Sequence, residues 1–165
     1  MEALTKLIAE GLIVPLGLIA VYALLIKTPV VRRYDRYTRI LMAGVTSYVL
    51  AKFIGYLWQP SHERPFEQLG VEPGASFLNN PGFPSDHALF ATFLVLAVWY
   101  ATRDKRITIL LAAMAVLVGI GRVIALVHSP LDVIGGVMIA AIGAVWYVSP
   151  FEKTQRIRLA KKSKK

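Results

Sequence analysis

The chain has 165 residues, 56% of them apolar, and a mean hydropathy of +0.55, which fits one compact unit more apolar than an ordinary soluble domain. Its 19 Lys and Arg outnumber 10 Asp and Glu, giving a formal charge of +9. These basic residues gather at the ends of long apolar runs, so they point to a membrane surface and away from nucleic acid. With no Cys, a disulfide, a thiolate metal site and a Cys nucleophile are all excluded.

A membrane-spanning helix needs about 20 mainly apolar residues. Residues 7–26, 40–58, 85–102, 107–127 and 131–148 approach that length. The first lacks the pattern of a cleavable signal peptide, because Glu2 and Glu10 accompany Lys6 and its positive charges come after it. Those charges are Lys27, Arg32, Arg33, Arg36 and Arg39. Arg103, Lys105 and Arg106 separate the third and fourth runs, and Lys153, Arg156, Arg158, Lys161, Lys162, Lys164 and Lys165 follow the fifth. The 59–84 connection carries only Arg64, beside Glu63, Glu67 and Glu72. The positive-inside rule therefore puts the three basic segments in the cytoplasm. Five spans then leave the N-terminus outside and the C-terminus inside. The expected fold is all-α: a multi-pass transmembrane helical bundle over residues 1–150 in the cytoplasmic (plasma) membrane, with a basic cytoplasmic tail at 151–165. A water-soluble helical bundle is the competing architecture, and the repeated spanning length weighs against it. The 59–84 connection, rich in Pro and with Gly70, Gly74 and Gly82, is longer than structureless loops usually are without a function.

Ionisable groups near or within spans are costly and usually have a job. They are Lys52 in the second run, Asp86 and His87 opening the third, Arg122 late in the fourth, and His128 with Asp132 around the start of the fifth. On the topology above, all of these sites but Lys52 lie at helix ends on the outer face, which they share with Arg64. Pro84-Ser85-Asp86-His87 reads as a helix start: Ser85 suits an N-cap, and the free N–H groups of a first turn attract anions. Ser129-Pro130-Leu131-Asp132 is a second start, with Pro130 suited to the first helical position and Asp132 to the first turn. Ordinary capping accounts for either stretch alone. It does not account for Arg122, six residues before His128 and so roughly 9 Å away along a helix, at membrane depth.

Two arginines, two histidines and one or two carboxylates on one face suit an anionic group, and phosphate fits best. Arg64 and Arg122 offer planar, bidentate donors to phosphoryl oxygens. One imidazole attacks phosphorus while the other protonates the leaving oxygen, and Asp132 is the candidate to hold the nucleophile's tautomer. Guanidinium groups and helix N-termini neutralise the charge, so this chemistry needs neither metal nor cofactor.

Arg64-Pro65, then Pro84-Ser85-Asp86-His87, then Arg122 with five residues before His128 and three more before Asp132, resemble the three-part signature of the type 2 phosphatidic acid phosphatase superfamily. The resemblance runs from Lys52 to Asp132. It implies His128 as nucleophile forming a phosphohistidine, Asp132 orienting it and His87 as the acid for the leaving group. It further implies that Arg64, Arg122 and Ser85, with a Lys, bind the phosphate in a metal-independent membrane enzyme of six helices.

There are four departures. The family's Lys stands six residues before Arg-Pro, where this chain has Leu57; Lys52 would lie about 7 Å deeper in an unbroken helix. It either reaches up to the phosphate or pairs inside the bundle. Asp86 replaces a common Gly, as in undecaprenyl-diphosphate phosphatases of the bacitracin-resistance type, which Phe83 also matches; it either tunes the site or favours the helix start. Gly121 replaces a common Ser, and five spans replace six. The expected activity is removal of phosphate from a lipid phosphate or diphosphate outside the membrane, with undecaprenyl diphosphate favoured. Phosphatidic acid, phosphatidylglycerol phosphate and a non-catalytic module binding anionic lipid are the alternatives. Vanadate-dependent halide oxidation is opposed by the spans.

Overall fold

The structure, a computed structural model, describes residues 2–78 and 82–148. Its helical elements are α1 (Leu4–Lys27), α2 (Val30–Leu57), the short α3 (Pro65–Leu69), α4 (Asp86–Thr102), α5 (Lys105–Ile124) and α6 (Pro130–Tyr147), with no strand among the described residues. α1, α2, α5 and α6 are each long and apolar enough to cross a membrane; α4 is apolar and has 17 residues. The chain is thus a multi-pass helical bundle. The expected basic tail at 151–165 lies outside the described residues.

α4 stands at the centre and touches each of the other four long helices. Its inward positions are mostly small, Ala88, Ala91, Ala97 and Ala101, with Leu89, Leu94 and Val98 between them. Small side chains let helix backbones approach where the surroundings are as apolar as the core, and packing then supplies the attraction. Large apolar side chains lie outside: Val14, Leu18, Val21 and Leu25 of α1 are all more than half exposed. Polar side chains lie inside, among them Arg64, Ser85, Arg122, His128 and Asp132. That inversion of a soluble protein's arrangement is what hydrocarbon selects.

α1 widens into a π turn at Leu7–Gly11, where Leu12 N donates to Leu7 O at 3.0 Å. Pro15 follows within the next turn; it has no N–H for Gly11 O and its ring crowds that carbonyl, which accounts for the altered winding. α2 starts ten residues before the expected 40, because the basic stretch is itself helical. Its arginines reach the ends of other helices: Arg33 donates to Leu25 O at 2.8 Å and Thr28 O at 3.2 Å, Arg36 to Ala101 O, and Arg39 to Trp146 O at 3.1 Å. Final-turn carbonyls lack partners of their own and carry the negative end of the helix dipole, so cations suit them.

At the opposite end, α5 stops at Ile124 where residues up to 127 were expected. Leu126 adopts a left-handed φ of +59°, which turns the chain back, and its carbonyl accepts Phe66 N at 3.0 Å. A non-glycine residue held there carries a modest conformational cost, which the docked α3 offsets. Two glycines set the distances between helices near this end. A Cβ at Gly136 would lie 2.6 Å from Ser85 O, so α6 crosses the start of α4 at backbone contact. A Cβ at Gly121 would lie 2.8 Å from Ala9 N, so α1 presses on α5 beside Arg122 and leaves no room for the Ser common at that place.

Candidate active site

The helix ends just described surround a cavity of about 640 Å³. Lys52 from the last part of α2, Arg64 before α3, His87 at the start of α4, Arg122 at the end of α5 and His128 in the α5–α6 turn all line it. Residues separated by as much as 76 positions therefore meet at one end of the bundle. Arg64, Arg122, His128 and Asp132 are only 6%, 2%, 5% and 6% exposed.

Each is placed by local rules. Ser129 and Asp132 form a reciprocal cap: Asp132 N donates to Ser129 Oγ at 3.2 Å, and Ser129 N to Asp132 Oδ2 at 2.7 Å. The same Oδ2 lies 3.6 Å from His128 Nδ1, beyond hydrogen-bond length but inside ion-pair range. Asp132 is thus both cap and neighbour of the imidazole. With Nδ1 on that side, Nε2 is the ring nitrogen left for the cavity. Ser85 N donates to Asp132 O at 2.9 Å, which ties the two helix starts together. Burial pushes the His128 imidazole below the ordinary histidine range; Asp132 opposes this, and Arg122 and Arg64 reinforce it. The net effect favours the neutral ring a nucleophile needs.

Arg64 is held by backbone carbonyls: its guanidinium donates to Val127 O and, at 3.1 Å, to Leu78 O, and it stacks 5.2 Å from the Phe77 ring. Arg64 N donates to Glu67 Oε2 at 2.6 Å, fixing the entry to α3. Arg122 Nη1 donates to Ser76 O at 3.0 Å, while its Nε is buried with no partner among the described residues. An unsatisfied buried N–H on a cavity-lining guanidinium is a cost to the fold, which an anion held by that guanidinium would offset.

The other expected residues are placed differently. Lys52 does line the cavity, because α2 ends at Leu57 and residues 58–63 are not helical. Its Nζ is 2.9 Å from both carboxylate oxygens of Asp86. Asp86 therefore does more than favour the start of α4: it holds the lysine at the cavity wall. Ser85 is fully buried and does not line the cavity, and its Oγ accepts Ala88 N at 3.5 Å as an N-cap.

The sequence reading gave Glu10 no place in the site. Its carboxylate accepts Ser76 N, the residue whose carbonyl takes Arg122. The available signal was a lone acid within an apolar span. Gln59 was also missed; it donates to Phe83 O at 3.1 Å and accepts Phe83 N at 3.3 Å, bracing the approach to Ser85.

Residues 37–156 match the PAP2 superfamily, a region that contains every expected site residue. A protein of Escherichia coli (strain K12) named "Putative undecaprenyl-diphosphatase YbjG" is 29% identical over 168 residues, covering 96% of this chain and 80% of that protein. No solved structure matches the chain. With the family match spanning well over half of its length, the chain belongs to the PAP2 superfamily and is a phosphatase.

Proposed function

We propose that this phosphatase removes the terminal phosphate of a polyprenyl diphosphate, undecaprenyl diphosphate in the first instance, at the non-cytoplasmic face of the plasma membrane. The observation that carries the reading is the meeting of two guanidinium groups and two imidazoles in one cavity of an otherwise apolar bundle. The prenyl diphosphate is favoured by the Phe83–His87 stretch and by the name of the E. coli relative. Orientation follows from charge: the end bearing Arg32, Arg33, Arg36, Arg39, Arg103, Lys105 and Arg106 faces the cytoplasm, and the cavity lies at the other end.

In the proposed mechanism Arg64 and Arg122 hold the oxygens of the terminal phosphoryl group, with Lys52 beside them and the start of α4 at Ser85 adding its dipole. His128 Nε2 attacks phosphorus, forming an N–P bond. The P–O bond to the lipid phosphate breaks as His87 supplies a proton to the departing oxygen. A water then attacks the phosphohistidine, giving its proton to His87, and inorganic phosphate leaves with His128 restored. Asp132 keeps the imidazole oriented and stabilises its charge as the bond forms. The cations neutralising the phosphoryl oxygens belong to the protein, so no metal is assigned a role.

The test is phosphate release in detergent micelles, with EDTA present, from prenyl diphosphates, prenyl monophosphates, phosphatidic acid and phosphatidylglycerol phosphate. The expected result is release undiminished by EDTA and fastest from prenyl diphosphate. Activity that vanishes with the chelator and returns with magnesium would overturn the mechanism, and preference for a glyceryl phosphate would overturn the substrate.

A further inference from the structure

Glu10 lies on α1, before the first residue of the family match, and no motif includes it. It is the one acid of the Leu4–Lys27 span, one turn after Lys6, and ionisable groups within a span usually have a job. Its carboxylate accepts Ser76 N, and Arg122 Nη1 donates to Ser76 O at 3.0 Å. Both polar backbone groups of one cavity-lining residue are thus held, one by α1 and the other by the buried arginine of α5. The neighbourhood is rigid by packing: Ala9 is fully buried against Gly121 at backbone contact, and Gly74 N donates to Ala125 O at 3.0 Å. The residues beyond Ser76 belong to the same wall, since Phe77 stacks on Arg64 and Leu78 O accepts from it.

We infer that Glu10 is a positioning residue of the phosphate site, clamping Ser76 so that its carbonyl fixes the Arg122 guanidinium at the cavity wall where the phosphoryl group binds. The first helix is then part of the active site. This inference rests on the phosphate-binding role proposed above for Arg122.

An acid near a phosphate site also repels the anion, and the two effects have opposite signs. Glu10 bonds to the backbone N–H of Ser76 while Arg122 Nη1 donates to the Ser76 carbonyl, so geometry should outweigh repulsion. Three variants separate the effects: Glu10→Ala removes acceptor and charge, Glu10→Gln keeps an acceptor without charge, and Glu10→Asp keeps the charge on a shorter stem. KM and kcat would be measured with prenyl diphosphate, together with inhibition by inorganic phosphate. Loss of one charge-assisted hydrogen bond predicts that Glu10→Ala raises KM and weakens phosphate inhibition by roughly tenfold, with kcat changed less than about threefold. Glu10→Gln should stay within about threefold of wild type in both constants. In an Arg122→Lys background Glu10→Ala should cost much less, because the clamped partner is gone. Wild-type KM and phosphate inhibition in folded Glu10→Ala would overturn the inference, as would tighter phosphate binding by both Glu10→Ala and Glu10→Gln. Those outcomes leave the catalytic reading standing, whereas wild-type protein that releases no phosphate counts against that reading itself.

Discussion

Both ends of the bundle are rich in arginine, yet the arginines do different work. At the end where α1, α4 and α6 finish, Arg33, Arg36 and Arg39 reach from α2 to the final carbonyls of those three helices. Their heads lie near the surface, and the positive charge meets the negative pole of a helix. At the other end Arg64 and Arg122 are buried around an open cavity, Arg64 braced by the carbonyls of Val127 and Leu78 and Arg122 by that of Ser76, with the Arg122 Nε unpartnered among the described residues. Burying a guanidinium costs several kcal/mol unless something satisfies it. The first set stabilises the fold; the second is costly to the fold, a cost that the anion of the proposed mechanism would offset. The residue type is the same at the two ends, so what separates a structural arginine from a site arginine is burial beside empty space.

The largest expected effect breaks the contrast at the cavity end. His128→Ala should lower kcat/KM for lipid diphosphate by at least about a thousandfold, because the attacking nitrogen is gone and no neighbouring group replaces it. The same protein should still bind inorganic phosphate through Arg64 and Arg122. Residual turnover within tenfold of wild type would remove His128 from the nucleophile's role. Acid-labile radiolabel on wild-type protein after a quench at alkaline pH, absent from His128→Ala, would report the phosphohistidine directly.

A smaller effect sharpens the contrast through pH. Since burial holds the His128 imidazole below its usual range, with the two arginines acting in the same direction, the neutral form persists to lower pH than for a solvent-exposed histidine. Protonation removes the nucleophile, so kcat/KM should be flat across neutral pH and fall on the acid side, with its midpoint below about 6.5. Asp132→Asn removes the group that opposes the shift, so the acid limb should move lower still while the maximal rate falls. An acid limb at or above the ordinary histidine value would contradict the burial that defines this site.

Much of this was legible in the sequence because hydrocarbon imposes local rules. Each expected span overlaps a helix, and both starts at Ser85 and Ser129 are caps whose signals lie within four residues. The early start of α2 was missed because a run of arginines reads as the end of an apolar segment; the partners that keep it helical, at Ala101 and Trp146, are over sixty residues away. The Lys52–Asp86 pair was likewise hidden, since it joins α2 to α4 across 34 positions and depends on α2 ending at Leu57. Glu10 could be noticed as an anomaly but not assigned, because its partner is a backbone N–H that no side-chain pattern encodes. Positions governed by period and capping were readable, and those governed by where the chain returns were not.

The smallest predicted effect tests the structural arginines. Arg36→Gln shortens the donor that reaches Ala101 O and removes its charge from the last turn of α4, where Arg103, in a left-handed conformation with φ +56°, already ends the helix. Loss of one hydrogen bond and one favourable dipole contact should cost about 1 kcal/mol, read as a lower thermal midpoint in detergent. The site lies at the opposite end of α4 from the Ala101 carbonyl that Arg36 holds, so kcat/KM should stay within about twofold. Were Arg36→Gln to reduce turnover as steeply as a cavity substitution, α4 would be transmitting strain along its whole length to His87. The division of labour between the two ends would then be replaced by one coupled element.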